Sequence, residues 1–100
     1  MDYQVVWLLA ALDELDEIAE YISRHSAVYA SAVVRDNRKA AGDLARFPKM
    51  GPRVPEWGSD EYRQRIVYSY RLIYRIAPDR IEILAVIHGA RLLSSSIKRR

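Results

Sequence analysis

The segment that decides the fold is YRQRIVYSYRLIYRIAPDRIEILAVIH, residues 62–88. Two runs rich in β-branched and aromatic residues, Tyr62–Tyr68 and Tyr70–Ile76, are separated by a single serine. A turn at Ala77–Arg80 then leads into a third run of this kind, Ile81–His88. Because connections this short join neighbouring strands, the segment predicts a three-stranded antiparallel meander.

Upstream of the meander, the sequence predicts one strand and two helices. Tyr3–Trp7 has the composition of a short strand. From Leu8 to Ile22 apolar residues recur at helical spacing, with acidic residues on the other side. Ser26 is a candidate N-cap for a second helix, which we expect to end at Phe47 because a proline follows.

The element order is therefore β-α-α-β-β-β. A short connection between the two helices favours an antiparallel helical hairpin. The sequence predicts a two-layer α+β domain in which this hairpin packs on one face of a mainly antiparallel sheet. Lys49–Ser59 contains two prolines and two glycines and is predicted to be a loop, and Arg91–Arg100 is either a short last helix or a frayed tail.

Length and composition narrow the class of protein. One hundred residues, half of them hydrophobic, predict a single domain spanning 1–100. There is no apolar run of about 18 residues, the first residues lack a positive segment, and cysteine is absent, so we expect a cytoplasmic protein without a membrane span. The two histidines, His25 and His88, lie far apart in the sequence, so we expect no metal site and no cofactor.

The charges are distributed unevenly along the chain. The first twenty residues hold six acidic and no basic residues, whereas all sixteen basic residues, thirteen of them arginine, come later. Arginine binds phosphate and carboxylate groups as a planar fork, so this bias indicates a nucleic acid or an acidic partner. The alternative is a GC-rich genome that favours arginine codons.

Strand alternation divides the predicted sheet into two faces. The face expected under the helices is apolar: Ile66, Leu72, Tyr74, Ile76, Ile81, Ile83, Ala85 and Ile87. The opposite, open face carries Arg63, Arg65, Val67, Arg71, Arg75, Glu82 and His88 around a floor of Ile73, Leu84 and Val86.

We expect the turn at Pro78-Asp79 to pair Ile76 with Ile81, which would place Arg75 opposite Glu82 and Arg71 opposite Val86. Four arginines on adjacent strands favour an anionic ligand or an acidic docking chain; the alternative is an ordinary solvated sheet face. His88 at a strand end is a packed or solvent-facing histidine, or an acid–base group.

Three sets of residues carry a resemblance to a known family. They are Trp7, Ala11, Glu14-Leu15, Ile18 and Tyr21-Ile22; then Phe47-Pro48 with Gly51-Pro52; then Ser69–Arg75 and Ile81–Arg91. Over nearly its whole length the chain resembles the RelE/ParE superfamily of toxins from type II toxin–antitoxin systems. The resemblance implies a toxin that arrests growth, and a hetero-oligomer with a cognate antitoxin whose extended C-terminal segment wraps over it.

The two branches of the superfamily differ in their targets. RelE-like toxins are endoribonucleases that cleave mRNA on the ribosome, with basic side chains stabilising the charge that develops on the phosphate. Matched by motif, those side chains are Arg63, Arg65, Arg71 and Arg91. The C-terminal tyrosine that RelE-like enzymes commonly use is absent, and His88 is the candidate to replace it.

ParE-like toxins bind DNA gyrase and have no catalytic set. The absence of a tyrosine after Tyr74 favours this branch, whereas Arg71 opposes it, because many ParE members lack arginine there. The sequence favours an mRNA interferase, with gyrase inhibition as the alternative and an interaction module with neither activity as the third possibility.

Overall fold

A computed structural model describes residues 2–100 as two helices packed on a four-stranded sheet. In chain order, the elements are β1 (Gln4–Trp7), α1 (Leu9–Ser23), α2 (Ala27–Asp43), β2 (Tyr62–Val67), β3 (Tyr70–Ile76), β4 (Arg80–His88) and a short 3-10 helix (Ser95–Arg99). The strands lie in the order β1-β4-β3-β2, and only the β1–β4 pair is parallel. The predicted α+β class, element order and mainly antiparallel sheet are confirmed.

The helical hairpin begins as predicted, but α2 ends early. The hydroxyl of Ser26 accepts a hydrogen bond from the backbone N–H of Tyr29 at 3.0 Å, which confirms it as the N-cap. The expected end at Phe47 is wrong, because α2 stops at Asp43. There the backbone tightens: the N–H of Leu44 bonds the carbonyl three residues back, and the Leu44 side chain turns fully into the core.

The β3–β4 pairing follows the prediction only near its turn. Ile76 faces Ile81 and Arg75 faces Glu82, as expected. A bulge between Ile73 and Tyr74 then shifts the register by one residue, so that Arg71 lies opposite Ile87 and not Val86. A one-residue shift exchanges the faces of every later residue of β4. Val86 therefore packs on the helix side, and Ala85 and Ile87 pack on the other.

The predicted face of β2 is also wrong. Arg63 pairs with Tyr74 and Arg65 pairs with Leu72, which places both arginines on the face that carries the helices. Ile66, expected under the helices, lies on the other face and is 61% exposed. β2 is an edge strand, so its long arginine side chains can lie along neighbouring backbone with their charges near water.

The sheet face opposite the helices is covered and not open. The loop around Val54 and the C-terminal residues Leu93 and Ile97 pack on it and form a second core. Ile73 and Leu84, two of the three residues of the predicted open floor, are buried there, and Val86 lies in the main core. The C-terminal segment is thus a short helix with a packing role.

Candidate functional site

Arg71 is the most enclosed of the predicted site residues, with 6% of its surface exposed. Its two terminal nitrogens each bind one carboxylate oxygen of Glu56 at 2.8 Å, a bidentate pair. Nε donates to the side-chain oxygen of Gln64 at 2.8 Å, and Nη1 also donates to the carbonyl of Arg91 at 3.2 Å. The guanidinium therefore joins β3 to the preceding loop and to the C-terminal segment.

Glu56 is the anionic half of this pair. Hydrogen bonds from Arg71, supported by the backbone N–H of Leu93, lower the pKa of Glu56 from 4.5 to about 2, against the opposing effect of burial. The carboxylate thus stays ionised wherever the protein is folded near neutral pH. Glu56 lies in the Pro- and Gly-containing loop, where the sequence has no periodic signal.

Arg63 and Arg65 are likewise engaged within the protein. Arg63 binds the Asp60 carboxylate at 2.6 Å and the carbonyl of Gly51 at 2.9 Å, and its side chain is only 11% exposed. Arg65 donates to the carbonyl of Ala40 at 2.9 Å, and to an Asp43 carboxylate oxygen at 3.3 Å. Arg63 and Arg65 lie on one face of the sheet and Arg71 lies on the other, so the three arginines do not form one site.

His88 and Arg91 are the two predicted site residues that the structure leaves exposed and brings together. Both line a cleft of about 200 Å³ between α1 and the end of β4, together with Glu17 and Tyr70. The His88 Nδ1 accepts a hydrogen bond from a backbone N–H, and its ring contacts Tyr70 edge-on at 5.8 Å. Arg91 forms no ion pair with any residue of 2–100.

A groove lies between the outer faces of the two helices, which we call the α1–α2 groove, and none of its lining residues was among the predicted site residues. Its volume is about 710 Å³, and it is open to solvent along one side. Its lining is mostly small residues: Ala19, Ser23, Ala27, Ala30, Ser31 and Val34. Glu20 stands on one rim, and Arg35 and Arg38 stand on the other. The sequence feature that could have indicated this groove is the spacing of small residues in α2, which places them on one face of the helix.

Two further kinds of site are absent from residues 2–100. The structure there holds no helix with the length and apolar character needed to cross a membrane. No group of three or more His, Cys, Asp or Glu side chains in that range lies close enough together to hold a metal ion. The cleft at His88 and the α1–α2 groove are two concave features that a partner can contact.

Comparisons with known proteins agree with this fold. Residues 5–93 match the family model described as the ParE toxin of the type II toxin–antitoxin system parDE. Toxin RelE2 of Caulobacter vibrioides is 31% identical over 90 residues, which span 89% of this chain and 98% of the relative. Two solved structures are also similar.

The first solved structure is the chromosomal ParDE toxin–antitoxin system of P. aeruginosa. The TM-score is 0.70 at 19% identity, with 86% of this chain and 95% of that chain covered. The second is the toxin–antitoxin complex RelBE2 of Mycobacterium tuberculosis, with a TM-score of 0.58 at 26% identity and coverages of 88% and 99%.

Proposed function

The chain belongs to the ParE toxin family, within the RelE/ParE superfamily, and from that premise we propose that it arrests growth by binding a protein target, DNA gyrase, without cleaving RNA. It is the toxin of a type II toxin–antitoxin system. Its cognate antitoxin neutralises it by forming a complex that covers the helical hairpin.

The observation that carries this proposal is the internal engagement of Arg63, Arg65 and Arg71. Electrostatic catalysis of RNA cleavage needs cationic groups aimed at the phosphate on which charge develops. The Arg71 guanidinium already binds both oxygens of Glu56. Turning it toward an RNA phosphate would leave a partly buried carboxylate without its partner, which costs about 1–2 kcal/mol after solvent screening.

The α1–α2 groove supports the antitoxin part of the proposal. A floor of small residues allows the backbone of another helix to approach closely, and Arg35 and Arg38 on one rim favour an acidic, amphipathic helix. Such a helix would bury its apolar stripe over the groove and place its carboxylates against the basic rim.

The antitoxin site is tested by filling the groove. Ser31→Trp places a large ring in it, and we expect weaker binding of the antitoxin in isothermal titration calorimetry. Val28→Trp is the matched control, because Val28 is 82% exposed on the same helix and does not line the groove. Equal affinity of the two variants for the antitoxin would exclude this groove as the antitoxin site.

The target is tested with two parallel assays of the purified toxin. We expect inhibition of DNA supercoiling by purified gyrase, and intact message on ribosomes programmed with a defined mRNA. The antitoxin should reverse the inhibition when it is added in equimolar amount. Message cut in the ribosomal A site, together with normal supercoiling, would refute the proposal.

A ribosome-dependent mRNA interferase is the second candidate, and one observation favours it. His88 and Arg91 are exposed on the same cleft, so an acid–base group and a cation are available there to a substrate. On this alternative, His88→Ala and Arg91→Ala each abolish mRNA cleavage, whereas Arg99→Ala, an exposed basic residue outside that cleft, leaves it unchanged.

A further inference from the structure

The turn that follows α2, residues 46–50, presents two large apolar side chains to solvent. Phe47 is 58% exposed and Met50 is 46% exposed. Beside them is an apolar recess of about 450 Å³, which Tyr3 and Ile76 also line. Clustered apolar exposure of this kind marks a contact surface more often than isolated exposed residues do.

Hydrogen bonds to side chains of the sheet fix the position of this turn. The hydroxyl of the fully buried Tyr74 donates to the carbonyl of Pro48 at 2.6 Å and accepts from the N–H of Gly51 at 3.2 Å. Arg63 donates to the carbonyl of Gly51 at 2.9 Å. A Cβ on Gly51 would lie 2.2 Å from the carbonyl oxygen of Gln64, so β2 approaches the turn as closely as glycine allows. A surface fixed in this way loses little conformational entropy on binding.

The rim of the recess is positively charged. Arg46 is exposed, makes no ion pair within residues 2–100, and has its guanidinium carbon 6.0 Å from the centroid of the Phe47 ring. Lys49 binds Asp60, but that carboxylate also binds Arg53 and Arg63. One carboxylate cannot neutralise three cations, so an occupant of this surface is expected to bring carboxylates.

We infer that the 46–50 turn and its recess are the docking site for a segment of the target protein, one that carries an apolar side chain flanked by carboxylates. This inference rests on the proposed function, in which the target is a protein. The apolar side chain would enter the recess beside Phe47 and Met50, with its carboxylates against Arg46 and Lys49. The surface follows the C-terminal end of α2, whereas the α1–α2 groove uses residues 27–38 of that helix.

The character of the lining favours a protein segment over a nucleic acid. Tyr3, Phe47, Pro48, Met50 and Ile76 make the walls of the recess aromatic and aliphatic. A nucleotide base stacks on aromatic rings and also hydrogen-bonds through its edges, and among these walls only Tyr3 carries a side chain that can form such hydrogen bonds. An apolar side chain with acidic neighbours satisfies both the walls and the rim.

The test combines an apolar variant and a charge variant with purified gyrase as the probe. We expect Phe47→Ala/Met50→Ala to weaken gyrase binding in surface plasmon resonance by about tenfold or more, as loss of a central contact does. Leu9→Ala is the matched control, because Leu9 is 73% exposed on α1. Arg46→Glu/Lys49→Glu should weaken binding most at low salt, while Arg99→Glu should leave it near the parent value.

Folding and antitoxin binding are measured on every variant, and both should equal those of the parent. A double alanine variant that binds gyrase like the parent overturns the docking site but leaves the proposed function standing. If the parent itself neither binds nor inhibits gyrase, that part of the proposed function fails and growth arrest in cells decides the docking site. Arrest lost in Phe47→Ala/Met50→Ala but kept in Leu9→Ala supports the site, and arrest kept in both overturns it.

Two other occupants are separate outcomes of the same test. Parent binding to a single-stranded RNA oligonucleotide that the double alanine variant loses would assign the surface to nucleic acid and overturn the inference. A parent dimer in sedimentation equilibrium that the double variant dissociates would assign it to a second copy, with the same consequence.

Discussion

Replacing Glu56 by glutamine tests whether the Arg71 pair holds the fold together. The change keeps the shape of the side chain but removes the charge that both terminal nitrogens of Arg71 bind at 2.8 Å. It also weakens the acceptor that the backbone N–H of Leu93 uses. We expect the free energy of unfolding to fall near neutral pH, and the loss to disappear in acid.

The size of the effect follows from the pKa of Glu56. Its fall from 4.5 to about 2 corresponds to a ceiling of roughly 3 kcal/mol, at about 1.4 kcal/mol for each pH unit. The side chain is 23% exposed, and solvent screening reduces this ceiling to about 1–2 kcal/mol. In a domain of this length, that loss lowers the melting temperature by roughly 5–15 °C.

The sign with pH is fixed by the lowered pKa. A carboxyl group whose pKa is lower in the folded state stabilises the fold above its ordinary pKa, and this contribution is lost as the pH falls toward the folded value. The difference between parent and Glu56→Gln should therefore be largest above pH 4.5, be small at pH 2, and vanish only below it. Asp36 and Asp60 also have lowered pKa values, but they are present in both proteins and cancel in the difference.

The assay is urea denaturation followed by tryptophan fluorescence across this pH range. Asp79→Asn is the matched control, because the Asp79 side chain is 74% exposed in its pair with Arg80, and we expect no measurable change in stability. A difference between parent and Glu56→Gln that is the same at neutral and acid pH would refute the reasoning, as would no loss at neutral pH.

Three further substitutions test the packing around the candidate surfaces. Tyr74→Phe removes the hydroxyl that bonds Pro48 and the turn after it, and should cost about 1–3 kcal/mol in urea denaturation, because buried partners are left unsatisfied. Gly51→Ala places a Cβ 2.2 Å from a backbone carbonyl of β2, and should cost more than about 3 kcal/mol or prevent folding, as judged by circular dichroism. Arg100→Ala removes two bonds to Glu14, and should speed amide hydrogen exchange in the C-terminal segment while costing about 1 kcal/mol or less. Unchanged stability in Tyr74→Phe or Gly51→Ala, or unchanged exchange in Arg100→Ala, would contradict these contacts.

The elements were predictable because their signals are local. Helical spacing gave α1 and most of α2, and the N-cap at Ser26 depends on residues three positions apart. The short turns predicted the meander. The position of the turn at Pro78-Asp79 also predicted the pairs Ile76–Ile81 and Arg75–Glu82.

The faces of the sheet were not predictable from alternation alone. Alternation assigns a face only while the register is continuous, and the bulge between Ile73 and Tyr74 breaks it inside β3–β4. The β2–β3 turn is made by Tyr68 and Ser69, with Tyr68 at φ 54°, a conformation that its side chain disfavours. These features depend on packing across the sheet, which the sequence of one strand does not report.

The candidate site could be predicted only in part, because its contacts join residues that are far apart in the sequence. Composition and strand position placed Arg71 in a predicted basic site, and the motif match predicted a catalytic role for it. Its partner Glu56 comes from a loop fifteen residues earlier, and the Arg91 carbonyl that it binds lies twenty residues later. Such pairings produce no periodic pattern in the sequence. The sequence therefore does not distinguish an arginine that is free to bind an external anion from one that is paired with a carboxylate of the same protein.

The arginine-rich composition was interpreted as a sign of an external anionic partner, but in the folded protein most of these side chains bind carboxylates of the same chain. Ten of the sixteen basic side chains form ion pairs within residues 2–100. The other six lie on α2, on the 46–50 turn and in the C-terminal segment: Arg38, Lys39, Arg46, Arg91, Lys98 and Arg99. Electrostatic stabilisation of RNA cleavage would need such cations to be aimed at the reacting phosphate. Arg38 lies at the α1–α2 groove and Arg46 at the recess of the 46–50 turn, which agrees with the proposal that these two surfaces bind acidic partners.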